Sequence, residues 1–154
     1  MGSEIFNDAR GRWRTYFDNV IAGSPANCEL FVALYKVIEA DGTLKTRTDK
    51  ADIDIEAGNT ECDFDNYVLQ TLTSVTQGLT SDEVYGDSAN SVIVDAGSAG
   101  GGTNNDIVKA ILFYWDDNTG SSDDAIPLAC YDYILTTTGV DLDFTVPSTG
   151  LIRE

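Results

Sequence analysis

The sequence predicts a mainly β protein, an antiparallel β-sandwich or jelly-roll-like barrel with a short N-terminal helix. Short segments rich in β-branched and aromatic residues recur along the chain, and clusters of Gly, Asn, Asp and Ser separate them. Several segments also alternate apolar with polar residues, as half-buried strands do. A chain of 154 residues has the size of a single domain with its own hydrophobic core.

The N-terminal segment, residues 1–22, has the pattern of a helix. Within residues 3–21, apolar residues recur at intervals of three and four, which places them on one helical face. These residues are Phe6, Ala9, Trp13, Tyr16, Phe17, Val20 and Ile21. Gly11 weakens the helix locally, and the Gly-Ser-Pro sequence at 23–25 ends it. We therefore expect one domain in which a helical anchor segment at 1–22 precedes a β-domain at 28–154.

The first half of the β-domain contains three predicted strands. Residues 28–39 are apolar on both faces through the middle, as in a strand that is covered on two sides. Residues 51–56 alternate acidic and apolar residues and predict a short, half-exposed strand. Its acidic residues, expected to face solvent, are Asp52, Asp54 and Glu56. Residues 63–76 are rich in Thr and aromatic residues, which favours a strand.

The second half contains the strongest strand signals. Residues 107–115 are the most apolar stretch and predict the central strand, and residues 125–135 predict its hairpin partner. Pro127 has no backbone N–H, so it predicts a sheet edge or a β-bulge. Shorter strands are predicted at 91–95 and 141–146.

The charge of the chain excludes several classes of partner. It has 26 Asp and Glu against nine Lys and Arg, a formal net charge of -17 at pH 7. Such a charge repels nucleic-acid backbones and anionic membrane surfaces, so we expect neither as a partner. No apolar run approaches the roughly 18 residues of a membrane span. Any assembly must rest on apolar contacts, basic surfaces or bound cations.

The composition also excludes much catalytic chemistry. The chain has no histidine, which removes Ser-His-Asp and Cys-His nucleophiles and His-ligated zinc. The three cysteines, Cys28, Cys62 and Cys130, lack the spacing of a metal site and predict small buried residues. A pair of carboxylates for glycoside hydrolysis stays open, but nothing selects a pair among 26 acids. The expectation is a protein without enzymatic activity or cofactor, made and retained in the cytosol because its start lacks the pattern of a signal peptide.

Two loops have compositions that suggest ligands. The Gly-rich loop at 97–102 lacks the phosphate-binding motifs, and a plain surface loop is the favoured interpretation. The acidic turn at 116–124 offers carboxylates around a glycine, which suits calcium. The candidate ligands are Asp116, Asp117, Asp123 and Asp124. Its spacing differs from an EF-hand, so a solvated hairpin turn is the favoured interpretation.

A basic cluster interrupts the acidic chain within the N-terminal segment. Arginines alternate with other residues there, next to aromatic ones that interfaces favour. The predicted partner-binding residues are Arg10, Arg12, Trp13, Arg14, Tyr16 and Phe17. For the aromatic residues, packing in the core is the favoured interpretation.

The order of these features carries a resemblance. The features are the helix ending at Gly23-Ser24, the strand Glu29–Tyr35, the sequence Asp63–Tyr67 before a Thr-rich strand, the strand ending Phe113-Tyr114-Trp115-Asp116, the segment Ala125–Ala129, and the end Asp143–Pro147. In this order the chain resembles small tailed-phage virion proteins of the head-decoration or cement type. The resemblance implies a β-sandwich or jelly-roll-like domain, no cofactor, and several copies bound to a capsid or tail.

The expected function is therefore that of a phage decoration protein on the outside of the head. Its partners would be the major capsid protein, other virion proteins and further copies of itself, a trimer being one order of assembly. It would reside in the virion, which assembles in the host cytoplasm. Two alternatives are a tail, collar or fibre component that contacts the host surface, and a calcium- or carbohydrate-binding β-sandwich module.

Overall fold

The computed structural model describes residues 3–79, 84–98, 102–146 and 150–153. The protein is mainly β, with antiparallel sheets and few helices, which confirms the predicted fold class at this level. The helices are α1 (Trp13–Ala22), α2 (Asp41–Leu44), α3 (Lys50–Asp54) and a 3-10 turn (Ser122–Asp124).

A six-stranded antiparallel sheet forms the centre of the molecule. Its strands are β1 (Ser3–Ile5), β2 (Glu29–Val37), β3 (Thr60–Glu61), β4 (Gln70–Thr71), β8 (Asp106–Trp115) and β9 (Ile126–Thr136). The order is β1-β9-β8-β2-β3, and β4 also pairs with β2. Residues 110–114 and 30–35 are buried, so both faces of the sheet are covered, as their continuous apolar runs indicate. The predicted central strand and its hairpin with β9 are confirmed.

A β-bulge occurs at the proline of β9. Leu112 pairs with Ala129 and Phe113 pairs with Pro127, so Leu128 is an extra residue on β9. Pro127 cannot donate to the ladder, and the bulge accommodates it. The prediction of an edge or bulge at this residue is thus confirmed as a bulge.

Two smaller sheets pack on the main sheet. They contain β5 (Thr76–Leu79), β6 (Val84–Asp87), β7 (Ser91–Ala96), β10 (Val140–Phe144) and β11 (Ile152–Arg153). The order is β11-β6-β5 in one and β10-β7 in the other. The ring of Tyr133 on β9 lies 5.8 Å from that of Phe144, and the Tyr131 hydroxyl donates to the Leu151 carbonyl. A Cβ on Gly86 would lie 2.5 Å from the Phe17 ring, so only glycine fits against α1 there.

The N-terminal segment does not form one helix. Ser3–Ile5 pairs with β9, and α1 begins only after Gly11, whose φ of 70° is left-handed. The helix prediction is therefore wrong for residues 3–12, where pairing with a sheet edge and a glycine turn replace it. Four apolar residues of the segment have no exposed surface and belong to the main core: Phe6, Ala9, Trp13 and Phe17.

Two predicted strands of the first half are also corrected. Residues 51–56 lie largely in α3, because the Asp49 side chain caps that helix by accepting from the Asp52 N–H at 2.7 Å. Residues 63–76 contain only β4 and the first residue of β5. Asn66 and Ser74 adopt left-handed conformations, with φ of 66° and 53°, and interrupt the extended chain.

Candidate functional site

Eight of the nine Lys and Arg residues divide into two groups. Ion pairs within the protein hold five of them: Lys36, Lys45, Arg47, Lys50 and Lys109. Arg10, Arg12 and Arg14, which we call the arginine cluster, are exposed and form no ion pair with any side chain in the described ranges. Of the basic side chains whose burial the structure describes, only these three leave their charge unpaired.

The arginine cluster is placed by the turn that starts α1. Gly11 reverses the chain between Arg10 and Arg12, and Arg12 is the residue before the helix. The Arg14 carbonyl accepts from the Gln77 side chain at 2.8 Å, which holds β5 beside the cluster. The fixed backbone presents three guanidinium groups, which form paired hydrogen bonds with carboxylates well.

The aromatic part of the predicted partner site faces inward. Trp13 and Phe17 have 0% exposure and pack edge to face with ring centroids 5.5 Å apart. Tyr16 is half-buried and stacks on Tyr114 at 4.6 Å. Trp13 and Phe17 are therefore core residues and offer no surface to a partner in this fold. The arginines point to solvent, and their role as a partner surface stays a prediction.

A network of charges lies against one end of the main sheet. Lys50, only 5% exposed, donates to Asp54 at 2.5 Å and to Glu61 at 2.6 Å. The Tyr35 hydroxyl donates to Asp54 at 2.8 Å, and the Tyr67 hydroxyl donates to Glu61 at 2.5 Å. These bonds tie α3 to β2 and β3. Only the Lys50–Asp54 pair, four residues apart in one helix, is local in sequence. The other bonds join separate parts of the chain and are not visible in the sequence.

Two further groups extend the network. Lys109, 6% exposed, pairs with Asp41 of α2 and with Asp132 of β9, the latter at 2.9 Å. Arg47 pairs with three acids at 2.7 to 3.2 Å, namely Glu39, Asp52 and Glu56. The acids expected to face solvent from a strand at 51–56 instead bind Arg47 and Lys50.

Lys50, Tyr35 and Tyr67 of the network each keep one protonation state near neutral pH. Burial lowers the pKa of Lys50, but Glu61 and Asp54 together outweigh it, and the net shift is upward. Burial first, and nearby carboxylates second, raise the pKa of Tyr35 and Tyr67. The lysine therefore stays protonated and the phenols stay neutral near pH 7. The network holds the segment from α2 to β3 on the sheet.

We expect the variant Glu39→Gln to lose stability at neutral pH but not in acid. The Arg47 hydrogen bond is the largest cause of the lowered pKa of Glu39, whose side chain is 15% exposed. With a folded pKa below the unfolded value of about 4.3, the stabilisation is present above that value and is lost as pH falls through the folded pKa. Urea denaturation should give a loss of about 1–2 kcal/mol at pH 7.

At acidic pH the difference from the parent protein should shrink toward zero. The control is Glu4→Gln, since Glu4 makes a longer, exposed pair with Lys45 at 3.5 Å and should change stability by less than about 0.5 kcal/mol. An equal loss for Glu39→Gln at both pH values would contradict this role.

The acidic turn does not gather its carboxylates in this conformation. All four candidate ligands are exposed, and Asp117 accepts from the Thr119 N–H and hydroxyl at 3.1 and 2.7 Å. Within the described ranges, no group of three or more His, Cys, Asp or Glu side chains is arranged to hold a metal ion. Calcium binding at this turn stays a prediction.

The thiols are free, and two of them are buried. Burial raises the pKa of Cys62 to about 12 and that of Cys130 to about 11, so both remain thiols at neutral pH. Cys28 is half-buried. In the Gly-rich loop, residues 99–101 lie outside the described part of the chain.

No helix among the described residues is long and apolar enough to cross a membrane. Comparisons with protein-family models, with curated proteins and with solved structures find no match for the chain.

Proposed function

We propose that this chain is a non-enzymatic structural protein of a phage virion, a decoration or cement protein on the outside of the head. The observation that supports a role in assembly is the separation of charge. Lysines are held in internal ion pairs, whereas the arginine cluster faces solvent on a chain of formal net charge -17. The phage setting rests on the resemblance described above.

The arginine cluster would contact an acidic protein surface in the assembly. Guanidinium groups on a fixed turn bind carboxylates with defined geometry, and complementary charges select the partner and its orientation. The partners would be the major capsid protein, other virion proteins and neighbouring copies of the chain.

We also propose that the sheets form a sandwich-like or jelly-roll-like arrangement. The pairing of β10 with β7 and the sheet of β5, β6 and β11 would form the layer opposite the main sheet. Contacts of Tyr133 with Phe144 and of Tyr131 with Leu151 support this arrangement. The arginine cluster would lie at the border of this layer, where the Gln77 side chain of β5 donates to the Arg14 carbonyl.

We expect the triple variant Arg10→Ser, Arg12→Ser, Arg14→Ser to lose association with particles. Virions of the source phage are sedimented with purified chain added, and bound chain is measured by immunoblot. Loss of three charge pairs, each worth up to about 1 kcal/mol, should weaken binding about tenfold or more.

The control has the same change in net charge at other exposed positions, Thr60→Glu, Thr73→Glu and Thr103→Glu. It should bind nearly as the parent chain does. Absence of the chain from sedimented virions would contradict the virion role, and equal binding by the arginine variant would contradict the role of the cluster.

A further inference from the structure

A groove opens where β9 leaves the main sheet and the chain returns as β10. It has a volume of about 370 Å³. Tyr133, Leu135 and Val140 give it an apolar surface, and Asp141 and Asp143 add carboxylates. We call it the β9–β10 groove.

The apolar surface of the groove is unusually open to solvent. Leu135 is 43% exposed and Val140 is 64% exposed. A bulge contributes to this exposure, because Ile107 pairs with Leu135 whereas Lys109 pairs with Asp132, which leaves an extra residue on β9. Exposed apolar side chains grouped in this way mark a contact surface.

The carboxylates of the groove differ in their bonding. Asp141 accepts from the Asp95 N–H at 3.0 Å, which fixes its side chain. Asp143 is exposed, and its carboxylate forms no hydrogen bond or ion pair with the residues that the structure describes. Apolar surface beside carboxylates suits arginine, whose methylene groups pack on apolar atoms while its guanidinium binds carboxylate.

We propose that the β9–β10 groove binds the arginine cluster of a second copy of this chain. This inference rests on the proposed function, because it names the acidic surface that the cluster contacts. The two surfaces are complementary in charge and in chemistry: exposed arginines meet acids over apolar side chains.

The arginine cluster of one copy does not reach the β9–β10 groove of the same copy. The Phe6 N–H donates to the Leu128 carbonyl at 3.1 Å, and the Arg10 N–H donates to the Phe6 carbonyl at 3.2 Å. The cluster therefore lies near the start of β9, whereas the groove lies near Thr136. At about 3.3 Å per residue, the strand between Leu128 and Thr136 spans roughly 25 Å. The contact is thus between different surfaces of two copies, which produces a ring or an open chain.

Sedimentation velocity of the purified full-length chain over a concentration series tests the proposal. The parent chain should pass from monomer to dimer and larger species. The groove variant Asp141→Asn, Asp143→Asn should associate at least tenfold more weakly, although the amide oxygen introduced at position 141 can still accept from the Asp95 N–H. The arginine variant Arg10→Ser, Arg12→Ser, Arg14→Ser should be weakened equally.

A mixture of the two variants gives the sharpest result. The groove variant keeps its arginines and the arginine variant keeps its groove, so the mixture should form dimers but nothing larger. The control Asp123→Asn, Asp124→Asn removes the same two charges and lowers repulsion between copies. It should associate at least as strongly as the parent chain.

Three results would overturn the proposal: a parent chain that stays monomeric, a groove variant that associates like the parent, or a mixture without dimers. A monomeric parent chain that still binds virions through its arginines leaves the proposed function standing while this inference fails. If the chain associates as described but is absent from virions, this inference stands while the proposed function fails.

Discussion

A chain that lacks residues 1–22 is expected not to fold. The segment supplies strand β1 and four residues that have no exposed surface, Phe6, Ala9, Trp13 and Phe17. Without this segment the Tyr114 ring loses its stacking partner Tyr16, and the part of the core that α1 covers is exposed to water. If residues 28–154 formed an independent β-domain, the truncated chain would retain its structure. The truncation therefore distinguishes a segment that is appended as an anchor from one that is an integral part of the core.

The single variant Trp13→Ala measures the same effect on a chain that still folds. Removal of a fully buried tryptophan costs about 3–5 kcal/mol, against a typical total of about 5–15 kcal/mol. Urea denaturation followed by far-UV circular dichroism gives the free energy of unfolding. The control in the same helix is Ile21→Ala, since Ile21 is 51% exposed and should cost less than about 1 kcal/mol.

Two outcomes would contradict the integral role of the segment. One is a truncated chain with a cooperative urea transition and dispersed amide resonances. The other is a Trp13→Ala variant as stable as Ile21→Ala. Either would mean that the core closes over β8 and β9 without α1.

The strands that the sequence predicts best are those whose surroundings are the same on both faces. Apart from Lys109, residues 107–115 are apolar, and so are residues 125–131, because layers cover both sides of β8 and of the first half of β9. Pro127 adds a local covalent constraint, and its bulge needs no knowledge of distant residues.

Prediction fails where a distant contact decides the local structure. The spacing of Phe6, Ala9 and Trp13 fits a helix, but Ile5 pairs with Ala129, far along the chain, and draws the first residues into the sheet. At residues 51–56 the alternating apolar residues do not share one buried face, since Ile53 is buried and Ile55 is 80% exposed. The N-terminal cap from Asp49 stabilises a helix at these residues.

The candidate functional site shows the same difference between local and distant contacts. The arginine cluster is visible in sequence because its three members lie within five residues. The β9–β10 groove is not visible, because it depends on the register between Ile107 and Leu135 and on the divergence of two strands. The contact of Lys50 with Glu61 is hidden for the same reason, since Lys50 lies on α3 and Glu61 on β3.

The variant Lys50→Met is expected to destabilise the protein by about 2–3 kcal/mol at pH 7. It keeps the apolar stem but leaves Asp54 and Glu61 without the cation between them, and removing one partner of a buried pair costs about 3–5 kcal/mol. The side chains of Asp54 and Glu61 are 32% and 24% exposed, so water screens part of this cost. The control Lys45→Met breaks an exposed pair and should cost less than about 0.5 kcal/mol.

A further variant identifies the cause of the Lys50→Met loss. The triple variant Lys50→Met, Asp54→Asn, Glu61→Gln removes all three charges and should recover at least half of the loss, since Tyr35 and Tyr67 keep amide oxygens as acceptors. A loss that the triple variant does not relieve would mean that packing of the lysine stem, and not its charge, holds α3 on the sheet.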